Sequence, residues 1–264
     1  MTPGGTPPRG DARQRIVRLG DFLFRWRSYL PLLLLPLVVD AVARSRYPFG
    51  GHAADLAWEI GCVLISLGGF ALRVYTVGVA APGTSGRNTR EQKAASLNTT
   101  GPYSVVRHPL YVANFIIVVG LALFTHAWIL PPAVAVLTLA YYACIVQREE
   151  AFLRERFGAA FERWSARVPA VVPKFSGYVP ADRAWEWRVA VRREFYALTL
   201  ILTAPFFLDI LENLNAPGTF DLDVVWTVVG LIGVTLFVVV RFLKKRTTLL
   251  AVPRTAVGRD HVRP

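Results

Sequence analysis

Six apolar runs dominate this sequence and constrain its fold more than any other feature. About 20 residues of helix cross the hydrocarbon core of a bilayer, and each run is of roughly that order. We therefore predict an all-α, polytopic integral membrane protein with about six transmembrane helices and a helix and loops on one side. The runs cover Tyr29–Ala43, Ala57–Val79, Leu110–Thr125, Ile129–Val146, Phe195–Leu214 and Val224–Val240.

The first run also has features of a signal peptide. Arginines precede it, and Ala41-Val42-Ala43 has the small-x-small form of a cleavage site. However, the tail before it extends to Arg27, and Asp40 interrupts its apolar end. We interpret the run as a span that is not cleaved.

The distribution of basic residues predicts the orientation. Of the 30 Lys and Arg residues, 27 lie in the tail to Arg27, in 81–109, in 148–193 and in the tail from Arg241. Because Lys and Arg accumulate on the cytoplasmic side, six spans place both termini in the cytoplasm. Arg outnumbers Lys by 26 to 4, and we expect a bacterial inner-membrane protein. Although the net charge is +12, the basic residues flank apolar spans without a nucleic-acid motif, and we expect no nucleic-acid partner.

The chain divides into four predicted regions. We expect a cytoplasmic tail over 1–27, a membrane core of four spans and a cytoplasmic helix over 28–175, an additional two-span region over 176–246 and a disordered tail over 247–264. The two additional spans indicate either a distinct substrate pocket or a contact in a homodimer.

A helical hairpin places distant polar residues together. The third and fourth runs are separated by only a few residues and are similar in length. At a rise of 1.5 Å per residue the two helices are therefore similarly long, and their far ends lie at the same membrane face. Arg107-His108 and Glu149-Glu150 should then lie at one depth. Pro109 suits a first helical turn, whose free N–H groups favour an anion, while the carboxylates accept from an amine or a hydroxyl. Ordinary interfacial anchors and solvated charges remain the alternative.

Other site chemistries lack their motifs. Cys62 and Cys144 both fall within spans and are too few for a disulfide framework or a zinc site. The sequence has no strand-linked G-x-G-x-x-G, no phosphate-binding loop and no Ser-His-Asp pattern. We predict no metal site.

Two motifs flank the hairpin. The first is Gly101-Pro102-Tyr103-Ser104-Val105-Val106-Arg107-His108-Pro109-Leu110-Tyr111. The second is Glu149-Glu150-x-x-Leu153-x-x-x-Phe157-Gly158-x-x-Phe161-x-x-Trp164. In this order they resemble the isoprenylcysteine carboxyl methyltransferase family, including its bacterial members, which is related to membrane phospholipid methyltransferases. The resemblance covers about residues 60–175.

The resemblance implies methyl transfer from S-adenosylmethionine to a lipid or lipid-like acceptor at the cytoplasmic face. Arg107 and Glu150 would support the pocket and, with Arg148, are the candidate catalytic residues. The residues that would contact the cofactor are Leu97, Asn98, Tyr103, His108, Pro109, Tyr111 and Glu149.

The sequence departs from the family at several positions, among them Ala113, which stands where the family often has a glycine. Phe161 and Trp164 stand where the family has tyrosines, and Ile145 stands where the carboxyl methyltransferases have an arginine for the substrate. Arg73, Arg107 and Arg148 together would position an anionic head group.

The acceptor stays open between a phosphate, an amine, a prenyl-type carboxylate and a small hydrophobic molecule. An amine would have to lose a proton, and Glu150 or His108 would be the base. A non-catalytic membrane scaffold and a nicotinamide-dependent membrane reductase are the alternative functions.

Overall fold

The secondary-structure elements in the described part of the chain are all helices. The computed structural model describes residues 35–44, 51–81, 84, 95–215 and 221–251. The predicted tail over 1–27, the start of the first predicted span and most of the predicted tail over 247–264 lie outside these residues. Within them there are seven α-helices and two 3-10 turns, Gly101–Ser104 and Phe175–Gly177. The helices are α1 (Leu35–Arg44), α2 (His52–Val79), α3 (Pro109–Phe124), α4 (Leu130–Phe157), α5 (Ala159–Ser165), α6 (Trp187–Asn215) and α7 (Val224–Arg246).

Four of these helices, α2, α4, α6 and α7, are long and apolar enough to cross a membrane. Helix α3 is apolar but has only 16 residues, which is about 24 Å at 1.5 Å per residue. Large apolar side chains such as Leu231 and Phe242 on α7 point away from the protein, as they do in helices that face lipid. The all-helical membrane class is confirmed, whereas the count of six spans stays a prediction.

Two predicted spans are shorter than the helices that contain them. Helix α4 runs past Val146 to Phe157, and α6 begins at Trp187 rather than Phe195. The apolar run stops where charged residues appear, but backbone hydrogen bonding continues beyond the apolar region. Glu149 and Glu150 therefore lie on the hairpin helix itself, which makes their orientation depend on α4.

Small residues allow α2 and α3 to pack closely. A Cβ at Gly69 would lie 2.7 Å from the Ala113 carbonyl oxygen, and one at Gly120 would lie 2.9 Å from the Cys62 carbonyl oxygen. Between them the Ser66 hydroxyl lies within hydrogen-bond reach of the Cys62 carbonyl of its own helix at 3.1 Å and the Ile117 carbonyl of α3 at 3.2 Å. This is the close backbone approach typical of membrane helix pairs.

Helices α6 and α7 pack against each other and against the core. A Cβ at Gly230 would lie 2.7 Å from the Phe206 Cβ, so α7 approaches α6 closely. Trp226 is buried, and its ring centroid lies 5.1 Å from that of Phe124 on α3. Its indole N–H donates to the Glu59 carboxylate of α2 at 2.6 Å. The C-terminal pair is thus joined to α2 by a buried hydrogen bond and to α3 by an aromatic contact.

Candidate functional site

The helical hairpin brings the two motifs into direct contact. Helix α3 begins at Pro109, with His108 at its N-cap position, and α4 carries Glu149 and Glu150 opposite. Arg107 Nε donates to Glu150 Oε1 at 2.8 Å, and His108 Nε2 lies 3.2 Å from the same oxygen. Residues about 40 positions apart in sequence are therefore hydrogen-bonded neighbours.

Arg107 joins three segments. Besides Glu150, its Nη1 donates to the carbonyl oxygens of Ser165 and Val168, each at 2.8 Å. The two carbonyls lie at and just after the end of α5, where backbone acceptors lack helical partners. The guanidinium therefore clamps the start of α3 to α4 and to the end of α5, a positioning role.

His108 lies between two carboxylates. Its side chain is 6% exposed, and Nδ1 lies 3.4 Å from Glu149 Oε2. Burial disfavours the imidazolium, but the hydrogen bonds to Glu149 and Glu150 outweigh burial and raise the pKa of His108 above its ordinary value. A positive charge on His108 is thus stabilised at the start of α3.

Glu149 has the more accessible carboxylate of the pair. Its side chain is 30% exposed, against 16% for Glu150, and the Tyr111 hydroxyl donates to its Oε1 at 2.9 Å. The Tyr111 ring lies 5.6 Å from that of His108 and 4.6 Å from that of Tyr142. The result is an anionic group with aromatic rings beside it.

The segment before the first motif is held to the end of α2 by Asn98. The Asn98 amide donates to Thr84 Oγ1 at 2.8 Å, and its oxygen accepts from the Ala81 N–H at 3.1 Å. Asn98 also hydrogen-bonds to Tyr103, whose pKa is raised chiefly by burial, so its phenol stays neutral. Asn98 therefore holds the end of α2 beside Tyr103.

Phe161 and Trp164 fill the core beneath the site. Both are buried, and the Trp164 indole N–H donates to the Tyr103 carbonyl at 3.1 Å. Leu97, Tyr103, Leu153 and Phe157 pack against them. The aromatic substitutions relative to the family thus preserve a packed wall, and Leu97 contributes to this wall.

The glycines of the motifs have backbone conformations that favour glycine. Gly101 has φ +59° and Gly158 has φ +47°, values that L side chains rarely adopt. Gly101 N–H donates to the Val179 carbonyl at 2.8 Å, and Gly158 separates α4 from α5. These turns direct the chain back over the site.

Two arginines of the predicted basic cluster form ion pairs with separate carboxylates. Arg73 of α2 is bound by both oxygens of Glu194 of α6, at 2.5 and 3.1 Å, and also donates to the Asn114 side chain. Arg107 is likewise paired with Glu150. Arg148 is half-buried one residue before Glu149.

The Arg73 network was not predicted from the sequence. Glu194 and Tyr142 were not candidates, although Tyr142 hydrogen-bonds to Asn114 and its ring centroid lies 4.6 Å from that of Tyr111. The available signal was a carboxylate directly after Arg192-Arg193, at the entry to an apolar run. Its pairing with Arg73 depends on how α6 packs against α2, which no local pattern encodes.

Among the described residues, no group of three or more His, Cys, Asp or Glu is placed to hold a metal ion. Both cysteines are free thiols, Cys62 buried and Cys144 half-buried.

Comparison with known proteins supports the resemblance. The phospholipid methyltransferase family model matches residues 57–160. The chain is 32% identical over 166 residues to the nickel-cobalt-cadmium resistance protein NccN of Alcaligenes xylosoxydans xylosoxydans, covering 60% of this chain and 70% of that protein. It is 31% identical over 162 residues to the cobalt-zinc-cadmium resistance protein CzcN of Cupriavidus metallidurans, covering 61% and 69%.

No solved structure matches the chain. The matched region contains α3, α4, the first motif and the second motif as far as residue 160, and the predicted resemblance is confirmed. The chain belongs to the phospholipid methyltransferase family, the family of isoprenylcysteine carboxyl methyltransferase-like membrane methyltransferases.

Proposed function

We propose that this protein transfers a methyl group from S-adenosylmethionine to a lipid or lipid-like acceptor at the cytoplasmic membrane face. The observation that carries the proposal is the contact of Arg107 and His108 with Glu149 and Glu150 at one end of the hairpin. The family supports methyl transfer in membranes. The cofactor, the acceptor and the orientation are our inferences.

The residues present suit the chemical groups of S-adenosylmethionine. The accessible Glu149 carboxylate can accept from an ammonium or from ribose hydroxyls, and the N-terminal turn of α3 suits a carboxylate. Tyr111 and Tyr142 offer ring faces to a cation. Asn98 and Tyr103 add an amide and a phenol group. When bound, the cofactor supplies an electrophilic methyl group.

Catalysis by these residues would depend on positioning and desolvation. Arg107 holds Glu150, and Glu150 in turn orients the His108 ring, so the geometry around Glu149 is fixed before a ligand arrives. A phosphate or carboxylate acceptor is ionised near neutral pH and needs no base. Arg148, half-buried one residue before Glu149, is the candidate contact to an anionic head group.

Transfer of label tests this function. Purified protein is reconstituted into liposomes made from bacterial total lipid extract and incubated with S-adenosylmethionine labelled at the methyl carbon. We expect label in the organic phase, and strong loss of label with Glu149→Ala. The matched control is Glu155→Ala, which removes an exposed glutamate further along α4. Label that never exceeds protein-free liposomes with any lipid extract would contradict the proposal.

The names of the relatives motivate a second assay. They concern resistance to nickel, cobalt, zinc and cadmium. If this chain has such a role through methyl transfer, cells expressing it should tolerate these cations better than cells expressing Glu149→Ala at equal protein levels. Equal tolerance would separate methyl transfer from resistance.

A further inference from the structure

The segment between α5 and α6 exposes an unusual number of apolar side chains. We call residues 171–187 the strap. Val172 and Phe175 are each 76% exposed, and Trp185 is 49% exposed. The other large exposed members are Val171, Tyr178, Val179 and Trp187. Contiguous exposed apolar surface of this kind usually marks a binding surface.

Hydrogen bonds hold the strap at the ends of three apolar helices. Lys174 N–H donates to the Val105 carbonyl, just before α3, at 3.0 Å. Glu186 N–H donates to the carbonyl of Gly78, in the last turn of α2, at 3.0 Å. At its other end the strap continues into α6, which begins at Trp187. The strap therefore runs across the plane in which α2, α3 and α6 end.

Trp185 and Tyr178 attach the strap to α2. The Trp185 indole N–H donates to the Val74 carbonyl at 3.3 Å, and the Tyr178 hydroxyl lies 3.2 Å from that of Tyr75. The indole ring also occupies the space that a side chain at Gly78 would need. Each ring thus has its polar atom on α2 while part of its apolar surface stays exposed.

We propose that the strap is a membrane-interface surface whose Val172, Phe175 and Trp185 side chains lie in the boundary between head groups and acyl chains. The strap contacts Val74 and Tyr75 of α2 and leads directly into α6, and both helices are candidate membrane spans. Trp and Tyr concentrate at this boundary because they combine an apolar ring with one polar atom.

Charges on the strap agree with this position. Lys174 and Arg183 are exposed and can reach lipid phosphates. Of the acidic residues, Asp182 accepts from the Thr100 hydroxyl at 2.9 Å, and Glu186 is exposed at the entry to α6. The partner is the lipid of the leaflet on the side of the site, and this inference does not depend on methyl transfer.

A fluorescent probe at the strap tests the proposal. Cys62 and Cys144, the only two cysteines, are replaced by alanine in the full chain. Phe175→Cys or Val172→Cys is then labelled with an environment-sensitive NBD fluorophore and reconstituted into liposomes. Glu155→Cys is the matched control, because Glu155 is exposed on α4 beyond Glu150. The two strap positions are both highly exposed, so failure of one variant leaves the other.

We expect blue-shifted emission at the strap, strong quenching by nitroxide-labelled lipid and weak quenching by aqueous iodide. The control position should show the reverse. Iodide quenching at the strap equal to that at the control would overturn the proposal, since the strap would then face water. Shielding from both quenchers would overturn it as well and would indicate a protein partner or a second copy.

Discussion

The Arg73–Glu194 pair gives the sharpest test of how the C-terminal helices are joined to the core. Both side chains are largely shielded, at 12% and 3% exposure, and the carboxylate binds the guanidinium through both oxygens. Glu194→Ala leaves the Arg73 charge without this partner in an apolar surrounding. Removing one member of a buried pair costs about 3–5 kcal/mol, because the remaining charge is uncompensated.

That free-energy cost is large enough to measure by thermal unfolding. For a chain of this length 1 kcal/mol corresponds to about 2–4 °C, so the midpoint should fall by roughly 6–20 °C. The assay is thermal unfolding in detergent, followed by far-ultraviolet circular dichroism. Glu155→Ala, at an exposed position, should change the midpoint little.

A double variant separates a lost pair from a buried charge. Arg73→Met with Glu194→Leu removes both charges and should restore much of the stability lost in Glu194→Ala, since no unpaired charge remains. A Glu194→Ala midpoint equal to that of the Glu155→Ala control would refute the reasoning. A double variant whose midpoint is no higher than that of Glu194→Ala would refute it too.

Three further predictions concern stability. His108 has a raised pKa, so its contribution to the free energy of unfolding is complete below its ordinary pKa and is lost as pH rises through the pKa of the folded state. The thermal midpoint should therefore decline over this pH range, and His108→Gln should flatten the decline. Gly69→Ala should destabilise by about 1–3 kcal/mol, whereas Gly68→Ala, with no atom within 4 Å of the added Cβ, should not. Trp226→Phe strands a buried carboxylate and should cost about 1–3 kcal/mol, while Trp128→Phe at an exposed position should not; equal midpoints within either pair would refute that prediction.

The sequence predicted the elements whose cause is local or periodic. Apolar runs identified α2, α4, α6 and α7 because a bilayer imposes length and composition on its spans. The hairpin argument placed His108 beside Glu150 because a short connection joins two apolar runs of similar length, so that their far ends lie at the same membrane face. The ends of α4 and α6 were missed, since charged residues end an apolar run without ending a helix.

Contacts between distant helices could not be predicted in the same way. Glu194 pairs with Arg73, and Trp226 with Glu59, only because of the way α6 and α7 pack against α2. The basic cluster suggested by Arg73 and Arg107 is neutralised by carboxylates that the sequence does not pair with them. Such pairings depend on the crossing of whole helices rather than on motifs.

Binding of the methyl donor tests the central claim most directly. Isothermal titration calorimetry of the detergent-purified protein with S-adenosylmethionine and S-adenosylhomocysteine should show micromolar affinity. Glu149→Ala and His108→Ala should each weaken it at least about tenfold, or 1.4 kcal/mol, and Glu155→Ala should leave it unchanged. Absence of binding by folded protein at about millimolar ligand would contradict the account.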